Sequence, residues 1–345
     1  MRWLASFLIA FKARLSARRF KQAVIDPVAA QEQLLKEILE RNKDTEYGKR
    51  YEFGRIHSLK DFQGNVPIID YEDIRESIDR MTLGEKNILT AEDPDLFAQT
   101  SGTTGSPKYI PVTPTCQKGG GTTTWLHFIH TDHRAMLSGQ VITIVSPAIE
   151  GYTKGNIPFG STSGMVIREL PKIVQSAYAV PYDAFEIEDY EAKYYSLLRF
   201  GVASNVTFIG TANPSSVLKL AEMANKLADS LIKDIREGTL SKDFEIEDKW
   251  RQSLEPHLKA DPARADFLEA CRKKRDGKLL PADYWPQMAC LGCWKGGTVS
   301  SYIDRLPEWY DPDGTGMLPI RDMGYLASEA RMSCLLYTSD AADEH

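Results

Sequence analysis

Three short β-rich runs, set apart by long helical stretches, constrain the fold of this chain more than any other feature. They are Gln140-Val-Ile-Thr-Ile-Val-Ser-Pro147, Asn205-Val-Thr-Phe-Ile-Gly210 and Met288-Ala-Cys-Leu-Gly-Cys-Trp294. The first reads as a strand buried on both faces, as strands of parallel sheets are. Between the runs, Asp189 to Arg199 reads as a helix. Ser215 to Arg236 is expected to be the longest helix, with Asn213-Pro-Ser-Ser216 as its start signal. Strands separated by helices imply α/β layering. With 345 residues, 42% hydrophobic and 26% charged, the chain has ample apolar material for a large core. A net charge of −6 gives no basic footprint for nucleic acid. No run approaches the roughly 20 apolar residues of a membrane span, so stable membrane insertion is not expected.

A helical opening runs to about Arg41 and begins with an amphipathic helix over residues 1–22. Trp3, Leu4, Phe7, Leu8, Phe11 and Leu15 fall at helical spacing, with Lys12, Arg14, Arg18, Arg19 and Lys21 largely opposite. The cations follow the apolar run instead of preceding it, which argues against a secretory signal. Docking on the body of the protein is preferred to attachment at a membrane surface. Tyr71 to Arg80 reads as a short helix, Thr122 to Ala135 as another, Lys242 to Lys278 as a charged, mostly helical face, and Thr298 to Leu306 as a helix.

Cys290-Leu-Gly-Cys293 has no second pair and no nearby His, so buried thiols are expected instead of zinc. His127, His130 and His133 lack a His-Glu-x-x-His pattern and read as structural.

The richest segment for function is Thr100-Ser-Gly-Thr-Thr-Gly-Ser-Pro-Lys108, followed by the strand-like Tyr109-Ile-Pro-Val. Glycines let backbone N–H groups approach an anion closely; the hydroxyls add donors and Lys108 a mobile charge. The combination suits a polyphosphate, although it is not a Walker A loop, because no Gly precedes Lys108 and no Ser or Thr follows it. The candidate nucleotide-binding residues are Ser101, Gly102, Thr103, Thr104, Gly105 and Lys108. Downstream, in Gly324-Tyr-Leu-Ala-Ser-Glu-Ala330, Tyr325 offers a flat face for a purine, Ser328 a hydroxyl for the α-phosphate, and Glu329 an oxygen ligand for Mg²⁺. A Ser-Glu pair alone is also a common helix cap.

In this order the two elements resemble those of adenylate-forming enzymes. Asn42-Lys-Asp-Thr-Glu-Tyr-Gly48, Phe97-Ala-Gln-Thr-Ser-Gly-Thr-Thr-Gly105, Gly210-Thr-Ala-Asn-Pro-Ser215, Cys293-Trp-Lys-Gly-Gly297 and Gly324-Tyr-Leu-Ala-Ser-Glu329 resemble the auxin-responsive acyl acid-amido synthetase family, bacterial members above all, over residues 20–333. The resemblance implies a cytoplasmic ligase that uses ATP and Mg²⁺ to turn a carboxylic acid into an acyl-adenylate and passes the acyl group to an amino acid amine. An acyl-CoA synthetase and a non-catalytic nucleotide-binding remnant are the alternatives. By resemblance the phosphate-loop roles fall on Ser101, Thr103, Thr104 and Lys108, adenine stacking on Tyr325, and phosphate and Mg²⁺ roles on Ser328 and Glu329, with Lys108 and Glu329 as catalytic candidates.

The implied fold is the large N-terminal α/β adenylation domain, with stacked βαβ sheets plus a distorted β-barrel. The family's Tyr-Arg-x-Gly-Asp element and small C-terminal domain are expected to lie beyond Ser333. Residues 334–344 match a translated transposase end sequence used in sequencing adapters, and 334–345 are expected to be read-through. The polypeptide is thus expected to be a C-terminally truncated fragment over residues 1–333, inactive alone. A glycine- and serine-rich stretch, Pro158-Phe-Gly-Ser-Thr-Ser-Gly-Met165, reads either as acid-pocket lining or as a turn.

Overall fold

The computed structural model describes residues 2–100, 108–118, 121–316 and 318–333. Its strands are β1 (Leu96–Thr100), β2 (Lys108–Val112), β3 (Gln140–Thr143), β4 (Gly151–Tyr152), β5 (Pro158–Gly160), β6 (Val206–Gly210), β7 (Cys290–Cys293) and β8 (Ile320–Asp322). They form two four-stranded sheets, ordered β2-β1-β5-β4 and β3-β6-β7-β8. The second sheet is parallel throughout, as helical connections between strands require. The helices that matter below are α1 (Arg2–Ile25), α2 (Pro27–Asn42), α3 (Tyr71–Thr82), α4 (Gly121–Asp132), α5 (Thr162–Arg168), α6 (Tyr190–Ala203), α7 (Pro214–Lys226), α8 (Ala228–Glu237) and α9 (Pro262–Lys274).

The pleat of the parallel sheet sorts its residues between two layers. Val141, Phe208 and Cys290 stand in register and join Trp125 and Ile129 of α4 and Met136 in one buried cluster. Their neighbours Ile142, Ile209 and Leu291 point to the opposite face, into the largest core, with Leu197 and Leu198 of α6, Leu220 of α7 and Ile235 of α8. Burial on both faces explains why these strands read as apolar runs.

The structure departs from the sequence reading at several places. The barrel expected beside the stacked sheets is not found among the described residues: both sheets are open, and β4 ends the first after two residues. The helix expected over 215–236 is two, α7 and α8, because Leu227 leaves helical geometry at φ −98° and ψ 14°. The longest helix is therefore α1, at 24 residues. β3 stops at Thr143, and the chain to Ala148 turns to meet the backbone at Gly160 and Gly164. The helix expected over 298–306 shrinks to one α-helical turn at Ser300–Ile303 after a short 3₁₀ segment.

α1 does dock on the body, with Leu4 and Leu8 half-buried, but the other four apolar residues that its spacing singles out face outward. Ala5, Ala13 and Ala17 are buried, whereas Trp3, Phe7, Phe11 and Leu15 are at least half exposed. Small side chains let α1 lie close against α4, where Ser16 Oγ bonds Thr123 Oγ1 at 3.2 Å and Phe20 meets Phe128 edge-on.

Candidate active site

β1 and β2 pair antiparallel with Thr100 opposite Lys108, so this pair brackets residues 101–107. Ser101, Gly102, Thr103, Thr104 and Gly105 belong to that segment and lie outside the described residues. Lys108, at its exit, is partly buried, with its ammonium 5.0 Å from the centre of the Tyr71 ring.

Tyr71 opens α3, whose start is fixed by a reciprocal capping box between Asp70 and Asp73. Its hydroxyl accepts from the Tyr109 N–H at 2.9 Å, and Arg75 covers the same ring at 4.9 Å. The hydrogen bond from Arg75, aided by the charge of Lys108, holds the Glu72 carboxyl below the usual range. The first turn of α3 thus clamps the strand that leaves the loop. Sequence reasoning took Tyr71 only as the start of a short helix; the aromatic residue directly after the Asp cap was the available signal.

The second element starts where β8 ends. Asp322 accepts from the Gly324 N–H at 2.7 Å with one carboxylate oxygen and from the Lys295 N–H at 3.3 Å with the other, tying the exits of β7 and β8 together. Its carbonyl accepts from the Trp125 indole at 3.2 Å. Gly324 takes φ +78°, a backbone that L side chains resist, and this turns the chain outward at Tyr325.

Tyr325 is held by its backbone: its N–H donates to Ser333 Oγ at 2.7 Å, and its carbonyl accepts from the Met332 and Ser333 N–H groups. Leu326 and Arg331 form an antiparallel bridge, so Ser328 and Glu329 sit exposed in the tight turn between them. The Tyr325 ring is 71% exposed on a fixed backbone, which leaves a face free for stacking. The structure therefore gathers Tyr325, Ser328 and Glu329 into one turn, while Lys108 stands on the other sheet.

Both elements follow the carboxyl ends of strands in their sheets, the side on which open α/β sheets bind ligands. The exits of β6 and β7 are joined there by Thr211 N–H to the Gly292 carbonyl and by Trp294 N–H to the Ala212 carbonyl, each 2.9 Å. The exit of β3 reaches the first sheet through Ser161 N–H to the Pro147 carbonyl at 3.1 Å. A Cβ at Gly160 or Gly164 would lie 2.4 or 2.2 Å from the carbonyl oxygens of Ala148 and Ser146, so close approach accounts for both glycines. Ser161 caps α5 at the Gly164 N–H, which accounts for one hydroxyl of the same stretch.

Among the described residues no group of three or more His, Cys, Asp or Glu side chains could hold a metal ion. β7 carries Cys290 and Cys293 three residues apart, on opposite faces of the pleat, and burial pushes both thiols up to about 12. Burial also lowers His127, His130 and His133 on and just after α4. His133 Nε2 lies 2.9 Å from Asp132 and 2.8 Å from an Arg321 nitrogen, a structural contact with β8. The donor chemistry of Glu329 nevertheless suits Mg²⁺, which binds through one or two carboxylates together with substrate phosphates. No described helix is long and apolar enough to cross a membrane.

Residues 16–314 match the model of the GH3 family N-terminal domain. The chain is 27% identical to indole-3-acetic acid-amido synthetase GH3.5 of Arabidopsis thaliana, over 87% of its own length and 50% of that protein. It is 24% identical to jasmonoyl–L-amino acid synthetase JAR4 of Nicotiana attenuata, over 90% of its length and 55% of the relative. The chain spans about half the length of the curated relatives it matches. Its fold matches a solved GH3.15 acyl acid amido synthetase with a TM-score of 0.73 at 23% identity, over 88% of this chain and 53% of the other.

Proposed function

Because the chain belongs to the GH3 family, we propose that residues 1–333 form the adenylation domain of an acyl acid-amido synthetase. The observation that carries this is the placement of two phosphate-type elements at strand exits: the Thr100–Lys108 bracket and the turn holding Tyr325, Ser328 and Glu329. In this reading Tyr325 stacks on adenine, Ser328 donates to the α-phosphate, and the hydroxyls and amides of Ser101, Gly102, Thr103, Thr104 and Gly105 cradle the phosphates. Lys108 reaches the phosphates from the loop exit, oriented by the ring of Tyr71. A bound Mg²⁺, held by Glu329 and the nucleotide, would neutralise phosphate charge.

The acid's carboxylate oxygen attacks the α-phosphorus, the bond to the β-phosphate bridging oxygen breaks, and pyrophosphate leaves. Lys108 and the loop donors stabilise charge on that leaving group and hold the three centres in line. An amino acid amine then attacks the acyl carbon, the C–N bond forms, AMP departs, and the amine gives up a proton to solvent. No covalent enzyme intermediate is needed, which agrees with a site free of a Ser-His-Asp requirement. We assign the ribose contact and closure for the second step to the part of the relatives' length that this chain does not span. Supplying ATP, a panel of aryl, indole-acetate-like and jasmonate-like acids, and either amino acids or coenzyme A to a chain of the relatives' length tests this. Amide products are expected; thioesters in their place refute the amido-synthetase assignment.

A further inference from the structure

α1 carries five Lys and Arg between residues 12 and 21 and no Asp or Glu anywhere, in a chain whose net charge is −6. Among the described residues none of Lys12, Arg14, Arg18, Arg19 and Lys21 is ion-paired. The helix is fastened to α4 by its alanine face, so its outward face is unpartnered: Trp3, Phe7, Phe11 and Leu15 are 74, 58, 52 and 50% exposed. These four recur every fourth residue and make a stripe about 18 Å long that winds about a third of the way round the helix, at 1.5 Å and about 100° per residue. Two open grooves lie between α1 and the body, one of about 340 Å³ lined in part by Phe7, Phe11, Arg14, His130 and Arg134, the other of about 430 Å³ lined in part by Arg18, Lys21 and His127.

We propose that this face of α1 attaches the protein peripherally to an anionic lipid surface, with Trp3, Phe7, Phe11 and Leu15 entering the headgroup–acyl boundary and the flanking cations meeting lipid phosphates. Aromatic and leucine side chains bordered by Lys and Arg are what an interfacial helix needs. Charge favours an anionic surface: α1 carries cations and no acids in a chain whose net charge is −6, so anionic lipid draws α1 towards it. A nucleic acid would use the cations but leave the aromatics in water. This inference does not depend on the adenylating function.

The experiment is co-sedimentation of the intact chain with vesicles of phosphatidylcholine alone or with about 30% phosphatidylserine, at about 0.15 M NaCl. The chain is expected to pellet with the anionic vesicles only. Phe7→Asp with Phe11→Asp is expected to abolish pelleting, and Arg14→Gln, Arg18→Gln and Lys21→Gln to weaken it by roughly fivefold per charge removed. Unchanged thermal unfolding confirms that these surface variants fold. Should either variant fail to fold, quenching of tryptophan fluorescence by brominated lipid, reduced in Trp3→Phe, reads the same contact. Absence of binding to anionic vesicles, equal binding to neutral ones, or binding unchanged by Phe7→Asp with Phe11→Asp overturns the proposal. So does a Phe7-dependent dimer in sedimentation velocity that ignores vesicles.

Discussion

Lys108 sits on the last rung of the β1–β2 ladder, so its backbone is fixed while its ammonium remains able to leave the Tyr71 ring. Replacing it by Ala is expected to slow adenylation by about 10²- to 10³-fold, the cost of one preorganised charge at a developing anion. The effect should fall on kcat, measured as the acid-dependent initial rate at saturating ATP. Tyr325 makes a different contribution, through binding. Tyr325→Ala is expected to raise the KM for ATP by about 5- to 150-fold, the loss of one base stack, whereas Tyr325→Phe keeps the face and most of the affinity. Equal KM values for Tyr325→Ala and the parent would remove the stacking role. Both residues could be proposed from sequence because their chemistry lies in order along the chain. Tyr71 was not, because its contact with Tyr109 spans 38 positions and exists only after folding.

Among elements, α3 and α4 carry the tests. Tyr71→Phe removes the acceptor for the Tyr109 N–H and should cost about 1 kcal/mol of stability, with the loop exit loosened. The readout is the urea midpoint beside the KM for ATP; a variant unchanged in both would mean that α3 does not hold the hairpin. On and just after α4, burial depresses His127, His130 and His133, so the unfolded chain binds protons that the folded chain refuses. Stability therefore holds above the unfolded histidine value of about 6.5 and falls as pH drops below it. Thermal unfolding between about pH 7.5 and pH 5.5 should show this fall, and the triple His→Gln variant should flatten it. The depressed carboxylates of Asp61, Glu72 and Glu92 act at lower pH, outside that window.

These elements also show what periodicity conceals. The spacing of α1 singled out Trp3, Phe7, Phe11 and Leu15, yet the fully buried residues are Ala5, Ala13 and Ala17, because close helix approach rewards small residues over large ones. Residues 215–236 read as one helix because Leu227 keeps the period; only the backbone angles reveal the break.

For the molecule as a whole, the parallel sheet was the most readable part. Its inner strands are buried on both faces, and composition alone reports that for β3, β6 and β7. β4, β5 and β8 are too short and too mixed to announce themselves, and the first sheet depends on β5 pairing with β1 across about sixty residues of chain. Polar burial was hidden as well. Arg199 closed the expected helix, but α6 runs on to Ala203 and Arg199 is 2% exposed, donating to the carbonyls of Thr239 and Asp234.

What joins sheet, bracket and turn is the claim that nucleotide and carboxylate meet at these strand exits. Incorporation of labelled pyrophosphate into ATP, with and without a carboxylic acid, puts that to the test in a chain extended past Ser333 to the length of its relatives. Exchange that requires the acid and collapses in Lys108→Ala is the predicted result. Acid-dependent exchange untouched by Lys108→Ala, or ATP binding with no exchange for any acid, would contradict it.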